Sequence, residues 1–221
     1  MKFIWTEDTG AGLHYWELVN HYLFNDDFCV ETKMSNQGLL DAVRDIDISG
    51  DNEYYIAFDI VYDNMDIMNK YLEIVKIVRI SNGKIKLFDL TCFEYIIFAF
   101  KYLIDWTETG RKDKIPMRND ILSAMEGHSI NLDKIQNEKT LKYLMGFKRF
   151  STERVLKSIV GELTDQKYWS VKGDRMGDCW YKDCCVMDNN EGKCLIADMN
   201  GESKIKTLLA DVETQRLIKA I

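Results

Sequence analysis

The sequence predicts an α/β fold: a small parallel sheet flanked by helices, followed by a mainly helical C-terminal extension that contains a Cys-rich hairpin. Three observations carry that expectation. Over residues 1–106, short β-favouring runs alternate with helix-length amphipathic stretches, the pattern of strand–helix–strand units with right-handed crossovers. The run Glu53-Tyr54-Tyr55-Ile56-Ala57-Phe58 is nearly all apolar or aromatic, which suits a central parallel strand buried on both faces. After Trp106 the character changes: Thr107 to Lys114 (TETGRKDK) is polar and marks a boundary between a core, 1–106, and an extension, 107–221.

Each element has its own residue signal. Lys2 to Trp5 is short, apolar and β-favouring, and the turn Thr6-Glu7-Asp8-Thr9-Gly10-Ala11-Gly12 leads into a helix. That helix places Leu13, Trp16, Val19 and Leu23 at helical spacing. Phe28 to Glu31 reads as a second strand, Gln37 to Val43 as a helix, and Asp45 to Glu53 (DIDISGDNE) as an acidic turn. After the strand at 53–58, Asn64 caps a helix from Met65 to Ile80 whose apolar face is Ile67, Tyr71, Ile74, Val75 and Val78. Asn82-Gly83 stops that helix, and Lys84 to Phe88 makes another strand. A helix follows from about Phe93 to Trp106. In the extension, helical patterns fall at Ile121–Met125, Leu141–Phe147 and Ser151–Leu163, with Ser151 as N-cap. Residues 173–201, rich in Gly, Asp and Cys, read as turns or a small hairpin, and a last helix spans about Ser203 to Ala220.

Composition narrows the function classes. Of 221 residues, 46% are hydrophobic and 29% charged, enough apolar material for a packed core and too much for disorder over most of the length. Charge arrives at Glu7 before an apolar signal region can form, and the most apolar stretch, Phe93 to Ile104, is too short to span a bilayer. Six cysteines without an export signal then read as reduced thiols, so a cytoplasmic location and no membrane partner are expected. The net charge of −7 is uneven: residues 1–106 hold 9 Lys/Arg against 18 Asp/Glu, and residues 107–221 hold 20 against 18. That is not the footprint of a general nucleic-acid binder, though a local basic strip beside bound metal remains compatible with it.

In an open parallel sheet, ligands bind beyond the carboxyl ends of the strands. Glu7 follows the first strand and Asp59 ends the central one, so if those strands are neighbours both carboxylates face one crevice, with Asp63 approaching from the same loop. Clustered carboxylates need a cation or a proton to offset their repulsion. Hard oxygen ligands suit Mg²⁺ or Mn²⁺, which polarise phosphate and lower the pKa of bound water. Other readings stand beside this one: capping or a solvated surface suits Asp63 as well as ligation does, and Glu94, at the start of an apolar helix, suits the helix dipole there or, if that helix begins at the same sheet edge, binds metal or orients a ligand. Gly10-Ala11-Gly12 could offer backbone N–H groups to phosphate, but neither a Walker A nor a G-x-G-x-x-G pattern is present.

A Glu after the first strand, a helix, and an apolar strand ending in Asp-containing sequence resemble the Toprim pattern. The stretch Cys92-Phe93-Glu94-Tyr95-Ile96-Ile97-Phe98-Ala99-Phe100 is similar to the Cys-Phe-Glu-led helix of RloB-type Toprim-like proteins, which accompany bacterial defence loci and mobile elements. The resemblance spans about residues 1–106. It implies that Glu7 serves in acid/base chemistry or metal binding and that Asp59 leads the metal ligands. This chain departs from the pattern at Val61, which stands where a second Asp is expected, and at Asp8, which stands where the family has Gly. Either Asp63 substitutes with altered geometry or catalysis is lost. A receiver-like domain phosphorylated on Asp59, with Glu7 and Asp8 binding Mg²⁺, is a further reading that requires a Lys at the end of a fifth strand.

Cys179, Cys184, Cys185 and Cys194 form C-x4-C-C-x8-C within 16 residues, a set that could hold structural Zn²⁺ although it lacks paired C-x-x-C knuckles. Packing of these thiols as small hydrophobes is the alternative. Lys139, Lys142, Lys148, Arg149, Arg154 and Lys157 make a basic strip interleaved with Tyr143, Phe147 and Phe150, a mixture that nucleic-acid grooves use and that soluble helices also display. The leading expectation is therefore a metal-dependent phosphoryl-transfer enzyme, a nuclease acting on DNA or RNA. Glu7 and Asp59 are its catalytic residues, Glu7, Asp59 and Asp63 hold the metal, and Lys142, Lys148, Arg149 and Arg154 guide nucleic acid. The alternative is a non-catalytic, degenerate Toprim-like protein that binds a protein partner.

Overall fold

The computed structural model describes residues 1–105, 107, 109–163 and 207–218. It is an α/β protein with a four-stranded, all-parallel sheet flanked by helices. The strands are β1 (Lys2–Thr6), β2 (Cys29–Thr32), β3 (Glu53–Ala57) and β4 (Ile85–Leu87), in the spatial order β2-β1-β3-β4. Helices α1 (Ala11–Phe24), α2 (Asn36–Arg44) and α3 (Met65–Ile80) connect them in turn. Then come α4 (Phe93–Ala99), α5 (Ile115–Ser123), a hairpin of β5 (Met125–Glu126) and β6 (Ser129–Ile130), α6 (Glu138–Met145), α7 (Thr152–Leu163) and α8 (Val212–Leu217). The Cys-rich segment 173–201, and with it Cys179, Cys184, Cys185 and Cys194, lies outside the described residues.

Alternation along the strands divides the core into two layers. On one face, Ile4 and Ala57 pack with Tyr15, Trp16 and Val19 of α1. On the other, Ile56 and Phe58 pack with Leu39, Leu40 and Val43 of α2 and Ile74 of α3. The chain therefore leaves β1 toward β2 over one face and returns past β1 to β3 over the opposite face. The order reverses between β1 and β3, which is the topological switch point of the sheet. Their register, Thr6 opposite Ala57, brings the two carboxyl ends level.

Local chemistry sets the element ends. The Asn64 side chain accepts from the backbone N–H of Asp66 at 3.2 Å and of Ile67 at 3.5 Å, capping α3 at the predicted residue. Asn82 and Gly83 adopt φ of 52° and 80° just beyond α3, the left-handed turn that the Asn-Gly pair favours. The helix expected over 93–106 is shorter. It ends at Ala99 and gives way to a 3₁₀ turn, Lys101–Ile104. The guanidinium of Arg118 takes the carbonyl of Phe98 at 2.7 and 2.9 Å and that of Phe100 at 3.0 Å, drawing both out of a helical ladder. The continuous last helix expected from 203 is also interrupted: Asp211 accepts from the N–H of Thr214 at 3.2 Å and starts α8 afresh. The β5–β6 hairpin was not expected, and it turns at Gly127 with φ 57°.

The helices after the sheet share its apolar core. Ile97 and Phe98 of α4 share one cluster with Ile121 of α5 and with Leu156, Ile159 and Val160 of α7. Among the described residues, no helix is long and apolar enough to cross a membrane.

Candidate functional site

At the end of β1 the chain turns through Thr6, Glu7 and Asp8. The buried Thr6 hydroxyl accepts from the Asp8 N–H at 3.1 Å and donates to Asp8 Oδ2 at 2.7 Å. The indole N–H of Trp16 donates to the same oxygen at 3.1 Å, tying the turn to α1. Gly12 makes room for this, because a Cβ there would lie 2.7 Å from the Asp8 side chain. Glu7 reaches the end of β3, where its carboxylate accepts a hydrogen bond from the backbone N–H of Asp59. The two predicted acids thus meet across the switch point.

Two further elements close the crevice. Glu94 enters from the first turn of α4 with its side chain 13% exposed, and Glu153 and Lys157 enter from α7. The Lys157 ammonium lies 2.5 Å from Glu153 Oε1 and 3.4 Å from Glu94 Oε1. Five carboxylates, those of Glu7, Asp8, Asp59, Glu94 and Glu153, therefore act on one another around one ammonium.

The electrostatics follow from that crowding. Burial, then repulsion from Asp8 and Glu153, pushes the Glu7 carboxyl up to about 8. Asp59 is held well above the usual carboxylate range by burial first and by Asp8, Glu7, Glu94 and Glu153 after it. Burial also raises Glu94, with the Lys157 charge working against the rise. For Lys157, burial pulls down, but the attraction of Glu94 and the hydrogen bond to Glu153 outweigh it and keep the ammonium charged. The thiol of Cys92, which precedes α4, is raised by burial and by the nearby Glu94 and Asp59 charges.

Asp63 is engaged with α7. Its Oδ2 accepts from the N–H of Thr152 at 2.6 Å and from the Thr152 hydroxyl at 2.7 Å, so it caps the start of α7. Val61 is buried in the core. Lys148 and Arg149, in the connection from α6, and Arg154, in the first turn of α7, are exposed at the end of the helix that supplies Glu153 and Lys157. Lys142 is exposed on α6. The interleaved Tyr143, Phe147 and Phe150 pack against the core instead of offering free stacking faces. The ammonium in the crevice comes from a helix, and a fifth strand ending in Lys is not among the described residues.

A second titratable group lies beside the hairpin. His128 Nδ1 is 2.8 Å from Thr91 Oγ1, and its Nε2 is 2.9 Å from Asp89 Oδ1. Burial lowers the imidazole pKa against the pull of Asp89. Thr91 is itself buried, so its hydroxyl ties the hairpin to the loop after β4 and is closed to substrate.

Sequence reasoning reached Glu7, Asp59 and the ambiguity of Glu94, but missed Glu153 and read Lys157 as part of a surface strip. A Glu and a Lys four apart after a Ser cap look like any solvated helix pair. Among the described residues, no three His, Cys, Asp or Glu side chains converge as a ready-made metal site. The donors nevertheless fit Mg²⁺ or Mn²⁺ chemically: they are hard oxygens in excess of positive charge, and such ions bind through one or two carboxylates plus water and phosphate. Compared with known proteins, the chain matches no family model, no curated protein and no solved structure.

Proposed function

We propose that the crevice between the ends of β1 and β3 is the centre of a metal-dependent phosphoryl-transfer enzyme, a nuclease acting on DNA or RNA. The observation that supports this reading best is the meeting of Glu7 and Asp59 at the switch point, the position where parallel α/β sheets take up ligands. Their raised carboxyls mark a site short of positive charge, which a divalent cation would supply. Asp59 and Glu7 are the residues to hold it, and Glu94 stands at the crevice where Asp63, engaged with Thr152, does not. When bound, the ion would polarise a phosphate oxygen and activate water. Glu7, with a carboxyl near neutrality, is suited to hold or release a proton beside the reacting phosphate. Lys148, Arg149 and Arg154 flank the same helix end and would meet the polyanion backbone. A bacterial defence or mobile-element setting rests on the resemblance of the Cys92–Phe100 helix alone.

A second reading is favoured by one observation. With Asp63 engaged and Val61 buried, no second carboxylate follows Asp59 into the crevice from its own loop, as a degenerate domain that captures a protein partner would have it. Calorimetry with Mg²⁺ and Mn²⁺ separates the two, comparing the native protein with Glu7→Gln and Asp59→Asn. Binding that both substitutions weaken by about tenfold or more supports the enzyme and justifies cleavage assays on DNA and RNA. No uptake by the folded native protein overturns the enzyme and leaves partner capture.

A further inference from the structure

Lys157 has an unusual position for a surface lysine. It projects from the second turn of a 12-residue helix whose start is fixed on both sides of Thr152: Asp63 accepts from Thr152, and the Thr152 hydroxyl accepts from the N–H of Ile130 at 3.1 Å. From this anchored base the ammonium reaches Glu153 at 2.5 Å and Glu94 at 3.4 Å, and its charge acts on Asp59 and Glu7 as well. Its side chain is 27% exposed, so solvent reaches it beside the carboxylates. A four-carbon stem can swing to water without moving the helix, whereas a rigid guanidinium fork would need new partners.

We propose that Lys157 is a tethered cation that holds the crevice in competition with a divalent metal, so that its withdrawal sets the metal concentration at which the site is loaded. This rests on the crevice being the metal site. Two cations cannot share neighbouring carboxylates without repulsion, and a double charge arriving beside an ammonium in a half-buried cleft meets little screening. The ammonium therefore lowers metal affinity while it keeps the metal-free protein from exposing uncompensated buried acid. A purely local helix pair between Glu153 and Lys157 would instead leave metal affinity unchanged when Lys157 is replaced.

The test is Mn²⁺ calorimetry on the full chain as native protein, Lys157→Met, Lys157→Gln and, as a charge-matched control, Lys76→Met on the exposed face of α3, with folding checked by circular dichroism. Both Lys157 variants are expected to bind Mn²⁺ about tenfold more tightly than native, and Lys76→Met to match native. Should Lys157→Met fail to fold, Lys157→Gln carries the comparison. Uptake by the Lys157 variants but not by the native protein upholds the competition, since the lysine then excludes the metal outright, and overturns the native protein as a metal enzyme. Binding by the native protein that is equal or weaker in the variants overturns the tethered cation and leaves the metal site standing. Folded native and variant proteins that all fail to bind overturn both.

Discussion

At the scale of single residues, the crevice is defined by acids whose ordinary ionisation has been made costly. Glu7 and Asp59 bind protons more tightly in the folded protein than in the unfolded chain. Their contribution to stability is therefore fully present below the unfolded carboxylate range and is lost as pH rises toward the folded value. Between about pH 5.5 and 8, above the carboxylate range of the unfolded chain and up to the folded Glu7 value, urea midpoints of the metal-free protein are expected to fall. The fall should be smaller in Glu7→Gln, which carries the neutral form permanently, and Mg²⁺ at the alkaline end should restore the native midpoint. A midpoint flat across that range would mean that these carboxyls are ionised and compensated already. Of these residues, Glu7 and Asp59 were legible in the sequence because strand ends are readable from apolar runs. Glu153 was not, because the acid whose charge it meets across the crevice, Glu94, lies 59 positions away, and only tertiary packing brings the two together.

At the scale of elements, α7 does most to complete the site, and its anchoring explains how. Asp63 satisfies the N–H of Thr152 and its hydroxyl together, an arrangement that joins the loop after β3 to a helix 89 positions on. Asp63→Ala is expected to destabilise the protein by about 1–2 kcal/mol through loss of that cap, and to leave Glu7 and Asp59 in place. Chemical denaturation measures the first effect, and native-like Mn²⁺ binding the second. Loss of binding in step with loss of stability would place Asp63 at the metal after all. The long helices were readable: α3 begins at Asn64 and stops before Asn82-Gly83, both signals being local. The truncation of α4 was not, because the Arg118 guanidinium that removes its carbonyls comes from a different helix. The break at Asp211 was in principle readable, since Asp with Thr three residues later is a capping pattern, but apolar spacing on both sides concealed it.

At the scale of the whole molecule, the strand order and the shared core decide where chemistry can happen. Parallel alternation predicted the class of fold, but the order β2-β1-β3-β4 depends on which strand each crossover returns to, and no local residue states it. The polar stretch after Trp106 suggested a boundary, yet apolar residues on both sides of it fill one cluster. Leu156→Ala, in the fully buried face of α7, is expected to cost about 2–5 kcal/mol and to shift the near-UV signal of the sheet-side aromatics together with the far-UV helix signal. Two separated transitions would instead reveal that the halves melt independently.

The packing of α7 against α4 has a consequence for inheritance. A recombination event that joined residues 1–106 to a foreign C-terminal half would transmit Glu7, Asp59 and Glu94 without the ammonium that balances them. The first half is therefore a poor cassette for shuffling. The segment that must travel as one piece extends to the end of α7, and descent of this crevice is to be traced over residues 1–163.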